Sequence, residues 1–178
     1  MNLDSHCTPE GRFAFHITDR ENVASIREHG LRQSAACNID TKTTTEALVS
    51  RGHEDAFPFD RSAVVYCYLN AAVVEAYAEM DELRNDDVAI VVDLDVVSAP
   101  LYLADMSAAS EFIDHHVAPD IAPTTDTFEE AVRQYRDSIV RLGGTEVVPN
   151  WTEIVDGTPE LVVEGDVPVE AIVEIRRL

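Results

Sequence analysis

At 178 residues, 46% hydrophobic and 26% charged, the chain has the size of one domain (residues 1–178), long enough to bury about 70% of its unfolded surface. Thirty-four acidic residues against 13 basic ones leave a formal charge of −21, and Lys42 is the single lysine among the basic residues. No apolar run approaches the ~20 residues of a membrane helix, and Met1–His6 shows no basic-then-apolar leader pattern, so neither a span nor a secretory signal is expected.

In chain order, residues 12–18 alternate. Phe13, Phe15 and Ile17 share one face of a predicted strand, and Ala14, His16 and Thr18 share the other. Thr18-Asp19-Arg20-Glu21 reads as a capping box for a short helix with Val23 and Ile26 inward, which ends at Gly30 in a left-handed cap. Residues 33–61 are polar and read as a long surface excursion with a short helix near 44–51; connections of this length are often functional. Ala63–Leu69 reads as a strand and Asn70 as the cap of a helix with Val73, Ala76, Tyr77 and Met80 inward. Asp87–Val97 is a Val/Ile-rich central strand. Residues 107–117 and 127–142 are helical. The second opens on a Thr127/Glu130 capping box and carries the stripe Phe128, Val132, Tyr135, Ile139 and Leu142. Short strands are predicted at Glu146–Val148, Glu160–Val163 and Ala171–Ile175, with a Gly165–Pro168 turn before the last. The mixed order of elements gives an α+β class.

Three separated cysteines (Cys7, Cys37, Cys67) with no C-x-x-C pair exclude a disulfide scaffold or zinc ribbon and suit a reducing, cytoplasmic setting. The acidic, Lys-poor composition is that of a halophilic cytoplasm, where about 1 M salt shortens the screening length to roughly 3 Å and relieves self-repulsion. The sequence has no Walker loop, G-x-G-x-x-G, G-x-S-x-G or H-E-x-x-H. His115 and His116 are adjacent and point about 100° apart on a helix, so they cannot face one metal together, and no metal site is expected. Taken singly, His16 reads as a satisfied core histidine, Tyr66 and Tyr68 as half-buried strand tyrosines, and Glu160 as a solvated strand-end acid.

Together these residues resemble a known family. Phe15-His16-Ile17-Thr18, followed by Asn22, Ile26 and Gly30-Leu31, is similar to the Y-H-x-T … N-x-x-S-I … G-L opening of the ADP-ribosyltransferase-like superfamily. Its style is that of DarT-type DNA-targeting toxins and, more distantly, of RNA 2′-phosphotransferases. Val64–Asn70 is similar to the family's second motif strand, and Pro159-Glu160-Leu161-Val162-Val163 … Val167-Pro168 … Ile172 to its E-[VL]-L-V-x-x-x-V-P-x-x-x-I ending.

The resemblance implies an α+β ADP-ribosyltransferase-like fold, two small packed sheets around an NAD cleft with peripheral helices. It implies NAD as substrate and ADP-ribosyl transfer to a nucleic-acid or protein acceptor, with an antitoxin as a further partner. His16 would bond the nicotinamide-side ribose, Thr18 shape its strand, Tyr66 or Tyr68 stack on nicotinamide, and Glu160 hold the ribose and stabilise the oxocarbenium ion. His16, a tyrosine of the pair and Glu160 would then converge on one ribose, and Glu160 on the face opposite His16 would end this transferase reading. Arg32 and Arg51 are candidates for the dinucleotide phosphates beside Arg61, and Glu164 is the alternative acid. Other readings are a non-catalytic nucleotide- or protein-binding member of the fold and an RNA 2′-phosphotransferase, although the paired Arg and second His of the latter are missing.

Overall fold

Alternating large and small side chains make Phe13–Asp19 a strand, β1, on which the sheet is organised. The computed structural model describes residues 12–33, 39–80, 87–117, 124–143 and 158–178, with the backbone alone at 39–44 and 76–80. After β1 come α1 (Val23–His29), α2 (Ile39–Ser50), β2 (Val65–Tyr68), α3 (Ala71–Met80), β3 (Asp87–Asp93) and β4 (Leu101–Asp105). The chain continues through α4 (Met106–Val117), α5 (Phe128–Ser138), β5 (Val140–Arg141), β6 (Pro159–Val163) and β7 (Ile172–Arg177).

The strands form one seven-stranded antiparallel sheet in the order β5-β4-β6-β2-β1-β3-β7. Helices and an antiparallel sheet give the expected α+β class, but the described residues show one open sheet where two packed sheets were expected. The reason lies at β1. It pairs β3 over seven residues, from Phe13↔Asp93 to Asp19↔Asp87, yet meets β2 through one registered pair, Phe15↔Tyr68. That pair joins β5-β4-β6-β2 to β1-β3-β7 in a single sheet.

Ladder partners share a face. On one side Ala14, Cys67, Ile90, Leu103, Leu161 and Val163 form a core covered by Ile26 of α1 with Leu31, Val167 and Ala171. The other side is covered in sections. Phe15, Ala89 and Val91 pack on Ala71 and Val74 of α3. Ala104 meets Ala47 and Leu48 of α2, Phe112 of α4, and Phe128, Val132 and Tyr135 of α5. Phe59 packs with Val64, Tyr102 and Val162.

Several local expectations are revised. Strand β1 runs on to Asp19, so Thr18 caps no helix; its hydroxyl accepts from Asn22 Nδ2 at 3.0 Å instead. Thr127 does cap α5, accepting from Glu130 N at 3.1 Å. Asn70 Oδ1 accepts from Ala72 N at 2.9 Å, but the buried residues of α3 are Ala71 and Val74, with Val73 half-buried; the side chains at 76, 77 and 80 lie outside the described residues. β3 stops at Asp93, and the separate strand β4 was missed. The excursion at 33–61 is no detached surface loop, because Ala47, Leu48 and Phe59 are buried. The strand expected at 146–148 lies outside the described residues, as do Cys7 and Cys37.

Gly30 ends α1 with φ +76°, and a Cβ there would lie 2.0 Å from the Val167 carbonyl oxygen. The close approach lets Leu31 and Val167 exchange two backbone hydrogen bonds of 2.9 and 2.7 Å, tying α1 to the turn before β7.

Candidate functional site

Glu160 is the second residue of β6, flanked on the ladder by Tyr68 of β2 and Ala104 of β4, and is only 5% exposed. A carboxylate this deep needs partners. Tyr135 of α5 donates its phenol O–H to Glu160 Oε1, and Arg61 Nη1 stands 3.7 Å from the same oxygen. Burial, then the neighbouring Glu160, pushes the Tyr135 hydroxyl well above the ordinary phenol value against the opposing pull of Arg61, so it stays protonated and donates.

Arg61, four residues before β2, is 8% exposed. Its guanidinium carbon lies 4.8 Å from the Tyr135 ring centroid, 4.9 Å from Tyr66, 5.7 Å from Phe112 and 6.0 Å from Phe57. Such a ring box stabilises a cation electrostatically. Burial opposes the charge, but Tyr135, Tyr66 and Glu160 outweigh it and keep the group protonated. Nε and Nη1 are buried with no hydrogen-bond partner, an unusual state for charged donors. Tyr66 donates its hydroxyl to the Arg61 carbonyl at 3.2 Å, which fixes the backbone of the box.

His16 stands apart from this set. Phe15, Tyr68 and Glu160 share a face through the ladder, so alternation sets His16 on the opposite one. The expected convergence of His16, tyrosine and Glu160 on one continuous face is therefore not met. Beyond the single β1–β2 pair, the His16 ring takes up the β2 backbone: its Nδ1 is 2.8 Å from the Tyr66 carbonyl oxygen. A carbonyl only accepts, so Nδ1 carries the proton and Nε2 is left as an acceptor. Burial lowers the His16 pKa against the pull of the Tyr66 bond, so the ring is neutral at pH 7.

The remaining candidates spread out. Arg32 is exposed beside the Leu31–Val167 bridge. Arg51 is exposed, with its guanidinium 4.2 Å from the Phe128 ring centroid. Glu164 accepts from the Tyr102 hydroxyl at 2.8 Å and lines a groove of about 530 Å³ with Thr45, Phe57, Phe59, Asp60 and Arg61. His115 Nε2 lies 2.9 Å from Thr125 Oγ1, a partnered position where a solvent-facing ring was expected. Among the described residues no cluster of His, Cys, Asp and Glu is arranged to hold a metal. The Cys67 thiol, pushed up to about 12 by burial, is unreactive near neutrality. No described helix is long and apolar enough to cross a membrane.

Sequence reasoning named Arg61 without a position and left Tyr135 in a core stripe. The signal for Tyr135 was its polar tip, because a buried tyrosine hydroxyl requires a partner.

No protein-family model matches the chain, and no curated protein does. A solved structure of Thermus sp. 2.9 DarT in complex with ADP-ribosylated ssDNA is similar to it with a TM-score of 0.43 and 16% identity, covering 94% of this chain and 82% of that one.

Proposed function

We propose that the chain binds NAD and transfers its ADP-ribosyl group to a macromolecular acceptor, with Glu160 as the carboxylate at the reacting ribose. The observation that carries this reading is the buried Glu160 carboxylate paired with a charged guanidinium whose Nε and Nη1 make no hydrogen bond among the described residues, beside the ring of Tyr66, at the β6 start where the motif resemblance puts the functional acid. In the reaction the bond from the ribose anomeric carbon to the pyridinium nitrogen breaks, and its electron pair leaves with neutral nicotinamide. The acceptor nucleophile then bonds to that carbon and loses its proton. Positive charge grows on the ribose in between, and a preorganised carboxylate is complementary to it.

The form in which His16 shares the ribose is given up, since His16 lies on the opposite face beside Thr18 and bonds the Tyr66 carbonyl; the reading rests on Glu160, with Tyr66 or Tyr68 as a face for nicotinamide. Of the three candidates Arg32, Arg51 and Arg61, Arg61 suits the phosphate role best, because its Nε and Nη1 make no hydrogen bond among the described residues and it lines the groove with Glu164. Single-stranded nucleic acid is the first acceptor to offer, and protein the second.

The placement of His16 on the face away from Glu160, together with the burial of Glu160, favours one rival: a member of the fold that binds a nucleotide without turning it over. Calorimetry with NAD beside nicotinamide release at about 2 M KCl, with and without single-stranded DNA, RNA or protein, separates the two. In the transferase, Glu160→Gln loses on the order of 10²–10³ in turnover, while NAD affinity shifts by about 1 kcal/mol. A parent that binds NAD and releases no nicotinamide with any acceptor leaves the binding reading.

A further inference from the structure

We propose that Tyr135 is a positioning residue for Glu160, holding Oε1 so that Oε2 is the oxygen offered to the ribose. The inference deepens the transferase reading and rests on it.

The groups facing the Glu160 carboxylate come from separate elements. Tyr135 comes from α5 and Arg61 from the segment before β2, with Tyr68 and Ala104 as ladder neighbours on β2 and β4. Among the described residues both polar contacts fall on Oε1, and neither involves Oε2. The Tyr135 side chain has no freedom to follow a wandering carboxylate. It is fully buried, its ring edge-on to Phe57 at 5.0 Å and 90° and tilted against Phe112 at 5.7 Å and 62°. A fixed phenol donor on one oxygen sets the carboxylate plane, and the second oxygen follows. Alignment of that oxygen matters most once charge has developed on the ribose, so its loss falls on turnover more than on ground-state binding.

A second tyrosine on the same face supplies an internal comparison. Tyr102 donates to Glu164, four residues further along the chain, so Tyr102→Phe deletes the same hydroxyl at the alternative acid.

Nicotinamide release is measured on the parent, Tyr135→Phe and Tyr102→Phe at high salt, with calorimetry of NAD binding. For Tyr135→Phe, kcat falls about 10- to 100-fold, the scale of a hydrogen bond to a charged group. Its Kd for NAD stays within about threefold, the split expected of a contact that matters once charge has developed on the ribose. Tyr102→Phe leaves kcat close to that of the parent, because its hydroxyl bonds an acid that this reading leaves out of the reaction. Parent-like turnover in Tyr135→Phe overturns the proposal, as does an equal loss of kcat and affinity, which is a packing defect. A loss confined to Tyr102→Phe overturns it in favour of Glu164. An inert parent instead removes the transferase reading, and this inference with it. If Tyr135→Phe does not fold, 3-fluorotyrosine at position 135 keeps the ring and strengthens the donor. Turnover then shifts while the Kd for NAD does not, and an unchanged turnover overturns the proposal.

Discussion

Two buried tyrosine hydroxyls determine how the polar atoms of this molecule are arranged around β6. Tyr135 ties down Glu160, and Tyr102 ties down Glu164 at the more open end. His16 is the other residue whose protonation matters, and its sign is definite. Burial holds its pKa below the ordinary 6.5, so the unfolded chain binds the proton first. Its contribution to stability is full above pH 6.5 and is lost as pH falls from there towards its folded value. Asp93 acts in a lower window. Its hydrogen bond from Arg12 depresses it below 3.8, so its contribution is present above 3.8 and is lost as pH falls through the folded value. Denaturant unfolding between pH 7.5 and 5 at fixed high salt therefore shows a loss of stability in the parent that His16→Gln reduces. An equal loss in both would place the titrating group elsewhere. His16 and Glu160 were legible because they sit in strands, where period-two alternation and a short motif make a position readable. Their partners were not. Arg61 reaches Glu160 from a non-repetitive segment and Tyr135 from a helix, and no sequence spacing encodes either approach.

At the scale of elements, the stripe of α5 is read correctly, with Phe128, Val132 and Tyr135 buried, and helix-end chemistry holds where no ladder competes. Thr127 caps α5 as its spacing with Glu130 requires, whereas the same signature at Thr18 loses to the β3 ladder, which holds the chain extended through Asp19. β4 escaped notice because a five-residue run directly after Pro100 is too short an alternation to stand apart from Asp87–Val97. The polar stretch at 33–61 hid its anchors, since Phe57 and Phe59 are too few to give a period and gain meaning only against Tyr102 and Tyr135. Gly30 is the element-scale position most sensitive to change. Gly30→Ala forces a residue with a side chain into φ +76° and drives its Cβ into the Val167 carbonyl. The expected loss is about 2–3 kcal/mol, seen as a lower urea midpoint with an unchanged slope. A variant within about 0.5 kcal/mol of the parent would mean that the Leu31–Val167 bridge re-forms without the close approach.

At the scale of the whole molecule, charge dominates. A formal −21 on 178 residues repels itself over more than about 10 Å at 0.05 M salt and over roughly 3 Å at 1 M. Thermal unfolding is expected at a markedly lower temperature in 0.05 M than in 2 M KCl. A midpoint that does not move would remove the halophilic reading of the composition. The same screening weakens phosphate attraction and repulsion alike, so a nucleic-acid acceptor must be tested at the salt where the fold is stable.

The single Phe15↔Tyr68 pair divides the sheet into two cooperative units of unequal connection. Within β5-β4-β6-β2 and within β1-β3-β7 the chain is held by longer ladders, of which β1–β3 alone has seven registered pairs. Opening along the β1–β2 boundary breaks few backbone bonds, so it lies low on the ladder of sub-global unfolding. In native-state hydrogen exchange the amides of residues 65–68 that face β1 exchange at a lower free energy than those shared by β1 and β3. Equal protection across the two boundaries would mean that the sheet opens as a whole. A ligand that bridged the two units would act as a clasp across that boundary. Its binding would then register as slowed deuterium uptake along the line where the units meet, at residues the ligand itself does not cover.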